Sequence, residues 1–311
     1  MAKNLILSPK TAADIDRRVD RVLQGLGNPE PPLRLELVRE LLKLDVGFYT
    51  ADNPGMAREV VSRIRVATIQ VFQRPTLLLD AIKKMSLKAL YLPDRKRILL
   101  DGSLPALKHR WNEAHEVGHS LLPWHEAMMH GDNDHTLSRN CHEHVEAEAN
   151  FAAGRLLFLR DRFANEARAL SPTFGTIDQL RKTFGNTLST TLYRFVEAVG
   201  DENPVVGMIT CHPHPDRRPF DHDPANPCKH VIQSTAFQAR FARVTEVDLF
   251  GALVRYCASK RGGVIGQTEL ILSDDNGDPH RFYFETFYNR YDALTLGVYV
   301  GPERVAVAVG L

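Results

Sequence analysis

The chain has 311 residues, 43% hydrophobic and 25% charged, with a formal net charge of +1 at pH 7. That length allows two domains, each with its own core, and the composition is ordinary for a soluble globular protein. The near-zero charge excludes a general attraction to nucleic acid, and the four cysteines lack the spacing of a disulfide framework. No apolar run approaches the ~18 residues of a membrane span, and the opening "NLILS" is not a signal peptide, so a cytoplasmic protein with no membrane partner is expected.

In chain order, residues 10–26 place Ala13, Ile15, Val19, Val22 and Leu23 among arginines and aspartates, which predicts an amphipathic helix. "GNPEPP" separates it from a second helix over 33–44. "VGFYT" predicts a short strand and residues 55–73 a further helix. "LKALYLPDRKRILLD" reads as two short strands about a turn at Pro93-Asp94. Such a small sheet could offer an edge strand to an extended peptide, or merely back the helices.

Next comes Trp111-Asn112-Glu113-Ala114-His115-Glu116-Val117-Gly118-His119, which contains His-Glu-x-x-His. On a helix His115 and His119 project from one face and can share a zinc ion, with Glu116 beside the water such an ion would activate. A polar loop with His125, His130 and His135 follows, and its histidines read mostly as solvated. Then "CHEHVEAEANFAAGRLLF" predicts a helix with Val145, Ala149, Ala152 and Leu156 on its apolar stripe. It can supply the third ligand. Glu146 and Glu148 point about 200° apart, so only one of them faces the metal. Glu146 is preferred, because Asn150 lies one turn later on its face and could hydrogen-bond a ligand imidazole; Glu148 stays the alternative. Cys141, at the start of this helix, is a candidate inhibitory fourth ligand, since zinc ionises a thiol at neutral pH; the plain reading is a small buried hydrophobe.

Three helical segments are expected to complete the first domain, with "SPTFGTIDQLRKTFG" and "TLSTTLYRFVEAVG" packing behind it. A boundary near Glu202-Asn203-Pro204 divides a first domain, 1–203, from a second, 204–311. The second opens with the strand "VVGMITCH" and an irregular stretch holding Cys211, His212, His214, His222, Cys228 and His230, whose spacing matches no zinc module. A strand around 231–244, a helix around 246–260 and four strands broken at Gly277, Asp292 and Gly301-Pro302 follow. That order suggests an α+β domain of one helix on an antiparallel sheet, cystatin-like or GAF-like. Arg217, Arg218, Lys229, Arg240, Arg243, Arg255, Lys260 and Arg261 outnumber the nearby acids, so a phosphate-binding face is conceivable, with Phe237 and Phe241 for stacking; a solvated surface is the plainer reading.

"RWNEAHEVGHSLL" followed by "EAEANFAAGRLLF" resembles the ImmA/IrrE family of zinc metallopeptidases, with its AHE-x-GH helix and E-x-[EQ]-A-[ND] helix. "KRILLDGSLP" resembles the family's edge strand and "TFGNTLSTTLYRFVEA" its third helical segment, so the likeness spans roughly residues 30–200. Leu159 departs from it, standing where many members have proline. The resemblance implies a mainly helical, zincin-like domain with a small sheet that cleaves a helix-turn-helix repressor after DNA damage or a related stress. In this reading His115, His119 and Glu146 hold Zn2+ and Glu116 is the general base. Single-stranded DNA is an expected activator, and the second domain an expected sensor.

Overall fold

Residues 3–49, 89–92, 96–125 and 139–303 are described by the computed structural model. The helix expected over 55–73 and a fourth strand after Gly301-Pro302 lie outside these residues. The chain divides into two compact units. One is Leu7–Arg160 with Phe184–Asn186; the other is Met1–Ile6, Asp161–Thr183 and Thr187–Leu311.

The first unit opens with helix α1 (Pro9–Gly25). The Ser8 hydroxyl accepts from Thr11 N–H, and Pro9 occupies the first turn, where its missing N–H costs nothing. Ile15, Val19, Val22 and Leu23 fall on one stripe and are buried. Helix α2 (Leu35–Leu42) ends where Lys43 adopts a left-handed conformation, with φ of 57°. Strand β1 (Asp45–Tyr49) pairs parallel with β3 (Arg97–Asp101), and β2 (Ala89–Leu92) pairs antiparallel with β3 on its other side. Ile98, Leu99 and Leu100 of the central β3 are all buried, as a strand covered on both faces requires.

Helix α3 (Ala106–Leu121) packs against β2, β3 and helix α4 (Arg139–Leu157). Val145, Ala149, Ala152 and Leu156, the stripe read from the sequence, are buried on α4. The two helices meet closely at Gly118, where a Cβ would lie 2.7 Å from the carbonyl oxygen of Ala149. On its other side α4 is tied to α1 by Arg155, whose Nε and Nη2 reach the two carboxylate oxygens of Asp16 at 2.6 and 3.1 Å.

The second unit holds helices α5 (Asp161–Arg168), α6 (Phe174–Phe184, up to Thr183) and α7 (Leu188–Val199) with a five-stranded antiparallel sheet. Its strands are β4 (Val205–Thr210), β5 (Cys228–Gln233), β6 (Gly263–Ser273), β7 (Pro279–Tyr288) and β8 (Ala293–Pro302), in the order β5-β4-β8-β7-β6. Helices α8 (Thr235–Arg240) and α9 (Glu246–Tyr256) share a core with the sheet through Phe237, Phe241, Leu249, Leu253, Met208, Phe282 and Phe284. Helix α7 packs on β4, β5 and β8, with Val196 against Gly207. Every residue of β4 is consequently buried, which is why "VVGMIT" reads as an unbroken apolar run.

The α+β architecture is as expected, with two differences in detail. The strand expected around 231–244 stops at Gln233, because Ser234 caps a helix by accepting from Phe237 N–H. Phe237 and Phe241, which a phosphate-binding face would have used for stacking, are fully buried and unavailable to a base. No helix among the described residues is long and apolar enough to cross a membrane.

Candidate metal centre

Helices α3 and α4 bring His115, His119 and Glu146 together, each offering one ligand atom within 4.8 Å of the others. Among the described residues this is the one group of three or more His, Cys, Asp or Glu side chains so placed. The geometry follows from helix periodicity: residues 115 and 119 are one turn apart, and their Nε2 atoms lie 3.1 Å from each other. Glu146 reaches His115 Nε2 at 3.2 Å and His119 Nε2 at 3.7 Å.

Glu148 faces elsewhere. Its Oε2 accepts from Trp124 Nε1 at 2.6 Å and lies 2.9 Å from His125 Nε2. Of the two carboxylates left open by the sequence, it is Glu146 that meets the histidines. Asn150 is on the same face, its Oδ1 3.1 Å from His115 Nδ1. Cys141 lies on α4, but its side chain is outside the described residues.

The donor set fits a divalent cation. With His115 Nδ1 hydrogen-bonded to the Asn150 oxygen, its Nε2 presents a lone pair to His119 Nε2 and to an anionic carboxylate. Such electron-rich atoms crowd together at low cost only around a positive charge. In the metal-free state a proton can play that part. Burial pulls the His115 pKa down, but the hydrogen bond to Glu146 and the charges of Glu116 and Glu146 outweigh it and raise it overall.

Glu116 is almost wholly buried on α3, and its pKa is pushed up to about 7. Burial is the main cause; His115 opposes it, the Glu146 carboxylate adds to it, and the backbone N–H of Tyr91 opposes it. A carboxylate poised there can take and return a proton near neutral pH.

His125, read from the sequence as one of a set of mostly solvated loop histidines, is not solvated. It is fully buried, and its Nδ1 lies 3.0 Å from His119 Nδ1. Burial, partly offset by Glu148, lowers its pKa. It follows the end of α3, six residues past His119, so no helical spacing ties it to the motif. The Cys211–His230 stretch assembles no comparable group of ligands among the described residues, although Cys211 Sγ lies 3.4 Å from His222 Nδ1.

A metal-binding pair of histidines on one helix, with a carboxylate from the next, is the arrangement of a metallopeptidase-type domain. Residues 67–196 match the family model of peptidase M78, described as the IrrE N-terminal-like domain, so the resemblance read from the sequence holds for the stretch carrying both helices. No curated protein matches the chain. A solved structure titled "Mycobacterium tuberculosis transcriptional regulator" is similar over 96% of this chain and 92% of its own, at 17% identity and a TM-score of 0.50. At that identity the likeness concerns the fold alone.

Proposed function

We propose that the chain is a zinc-dependent endopeptidase whose substrate is a helix-turn-helix repressor, cleaved in response to DNA damage or a related stress. The observation that carries the reading is the cluster of His115, His119 and Glu146, with the almost wholly buried Glu116 carboxylate on the helix that presents the two histidines. His115 and His119, through Nε2, and Glu146 would hold the ion. Zinc, when bound, would polarise the scissile carbonyl and make water a nucleophile at neutral pH. Glu116 takes the proton from the attacking water and passes it to the leaving amine. Strand β2 is outermost in its sheet among the described residues, and its Tyr91 N–H reaches Glu116. An extended peptide adding beside β2 would therefore run past the base.

The narrow substrate comes from the family resemblance, and residues 204–311 serve as the sensor. Exposed Arg243, Arg255, Lys260 and Arg261 there supply phosphate contacts for single-stranded DNA as activator. The test is to incubate the zinc-loaded protein with a helix-turn-helix repressor encoded beside it, with and without single-stranded DNA, and to read fragments by mass spectrometry. One discrete cleavage, lost in Glu116→Gln, is the expected result. An intact repressor that nonetheless binds would make the chain a non-proteolytic metal-bearing regulator.

A further inference from the structure

The zinc-site reading above accounts for His115, His119, Glu116 and Glu146, but leaves a second row of side chains behind it, with the buried His125 at its centre. Trp124 and His125 follow α3, and Glu148 sits on α4 two residues beyond Glu146. Glu148 Oε2 receives Trp124 Nε1–H at 2.6 Å. An indole nitrogen can only donate, so this oxygen is an acceptor, and His125 Nε2, 2.9 Å away, must donate to it. With its Nε2 proton committed, His125 in the neutral form has a bare Nδ1. That atom faces His119 Nδ1 at 3.0 Å, so His119 must carry its proton on Nδ1. The Nε2 of His119 is then left with its lone pair directed toward His115 Nε2 and Glu146.

We propose that Glu148 and His125 are positioning residues, a two-step hydrogen-bond relay that fixes His119 in the tautomer able to ligate the metal. The proposal rests on the metal-site reading and extends it. His119 differs in this from its partner. His115 is oriented by one amide oxygen from α4, whereas His119 is oriented by a ring wholly closed off from solvent and itself held by a carboxylate. A relay of this kind orders the ring before any metal arrives, because the Trp124 and His125 donors end on one Glu148 oxygen and His125 is closed off from solvent. Trp124 serves the same end, since its indole pins the Glu148 oxygen from a second side. An imidazole that ligates a metal through one nitrogen gains basicity and a set orientation when its other nitrogen donates to such a partner.

The test uses the full chain, with zinc affinity read by chelator competition and tautomers read by long-range 1H–15N correlation of the histidine rings in the metal-free protein. Glu148→Leu and His125→Phe remove the relay at similar volume, and each should weaken zinc by about 10- to 100-fold. Glu148→Gln keeps an accepting oxygen and should stay within about threefold of wild type. The wild-type spectrum should show His125 protonated on Nε2 and His119 on Nδ1. Should the Leu and Phe variants fail to fold by circular dichroism, that spectrum and the Gln variant still decide. The opposite tautomers, or undiminished zinc affinity in folded Glu148→Leu and His125→Phe, overturn the relay. A wild type that binds no zinc at all overturns instead the metal-site reading beneath it.

Discussion

Asn150 Oδ1 lies 3.1 Å from Nδ1 of His115, while Glu146, one turn earlier on the same helix, reaches Nε2 of that ring at 3.2 Å. One helix thus grips both nitrogens of a histidine carried by another. Removing the amide frees the ring to rotate or to shift its proton to Nε2. Asn150→Ala should therefore weaken metal binding by roughly tenfold. Asn150→Asp, which keeps the accepting oxygen, should not. Chelator competition on the two variants checks this, and equal losses in both would show that the oxygen does not orient the ring.

Glu116 makes a pH prediction for the metal-free protein. Its folded pKa is about 7 against an ordinary value of 4.5, with burial the chief cause. Between these values the folded chain holds a proton that the unfolded chain has released, so stability falls as pH rises through the window. The penalty is absent below about pH 4 and complete above about pH 7, where it amounts to roughly 3 kcal/mol. Glu116→Gln abolishes this titration. Urea unfolding should show the Gln variant gaining on wild type by that amount between pH 4 and pH 8. A constant gap across the range would contradict it.

Gly118 sits between the ligand histidines and permits the approach of α3 to α4. A Cβ there would stand 2.7 Å from Ala149 O, a backbone atom that cannot swing aside. Gly118→Ala should push the helices apart, costing about 1–3 kcal/mol and drawing Glu146, one turn from Ala149, away from the histidines. Thermal unfolding and zinc affinity should both fall. A drop in stability with unchanged affinity would mean that the displacement spares the site.

The metal ligands were legible because helical periodicity sets His115 and His119 on one face of one helix and Glu146 and Asn150 on one face of another, the pairing for which Glu146 was preferred over Glu148. His125 was not, since it reaches the site by a turn after α3 whose course no spacing encodes. Glu148 looked like a rival ligand for the same reason, its real partners being Trp124 and His125. In the second unit, "VVGMITCH" announced a strand, and every residue of the resulting β4 is buried. What covers it could not be read: α7, α8 and α9 are all amphipathic, and amphipathicity gives a buried face without naming its partner. Phe237 and Phe241 illustrate the cost, since aromatic residues among arginines suit a nucleic-acid surface or a core equally well.

A buried carboxylate in the second unit carries a structural prediction. Glu285 on β7 accepts from Phe174 N–H, at the start of α6, at 2.9 Å, and from Gln267 Nε2 at 3.2 Å. The amide belongs to the first turn of a helix, where no intrahelical partner exists, and the negative charge lies at the positive end of the dipole. Glu285→Leu leaves the buried amide unpaired and should cost about 1–3 kcal/mol. Glu285→Gln retains an acceptor and should cost less. Urea midpoints of the two variants give the comparison, and equal destabilisation would assign the effect to packing.

The last prediction concerns where the chain can be cut. Helix α7 buries Leu192, Phe195 and Val196, and packs on β4, β5 and β8, with a Cβ at Gly207 falling 2.9 Å from the Val196 side chain. Its apolar face and that side of the sheet therefore cover each other. Fully burying each such side chain is worth about 1.5–3 kcal/mol, so three of them approach the whole stability of a small domain. A fragment of residues 204–311 lacks α7 and exposes the face of β4, β5 and β8 on which it lies. That fragment should be aggregation-prone and poorly protected in amide exchange. A fragment starting at Asp161 keeps α5, α6 and α7 with the sheet and should show strong protection along β4 and β8. Expression of both, followed by size-exclusion chromatography and hydrogen exchange, tests the point. A stable, monomeric 204–311 fragment with a protected β4 would show that the sheet folds without its α7 cover.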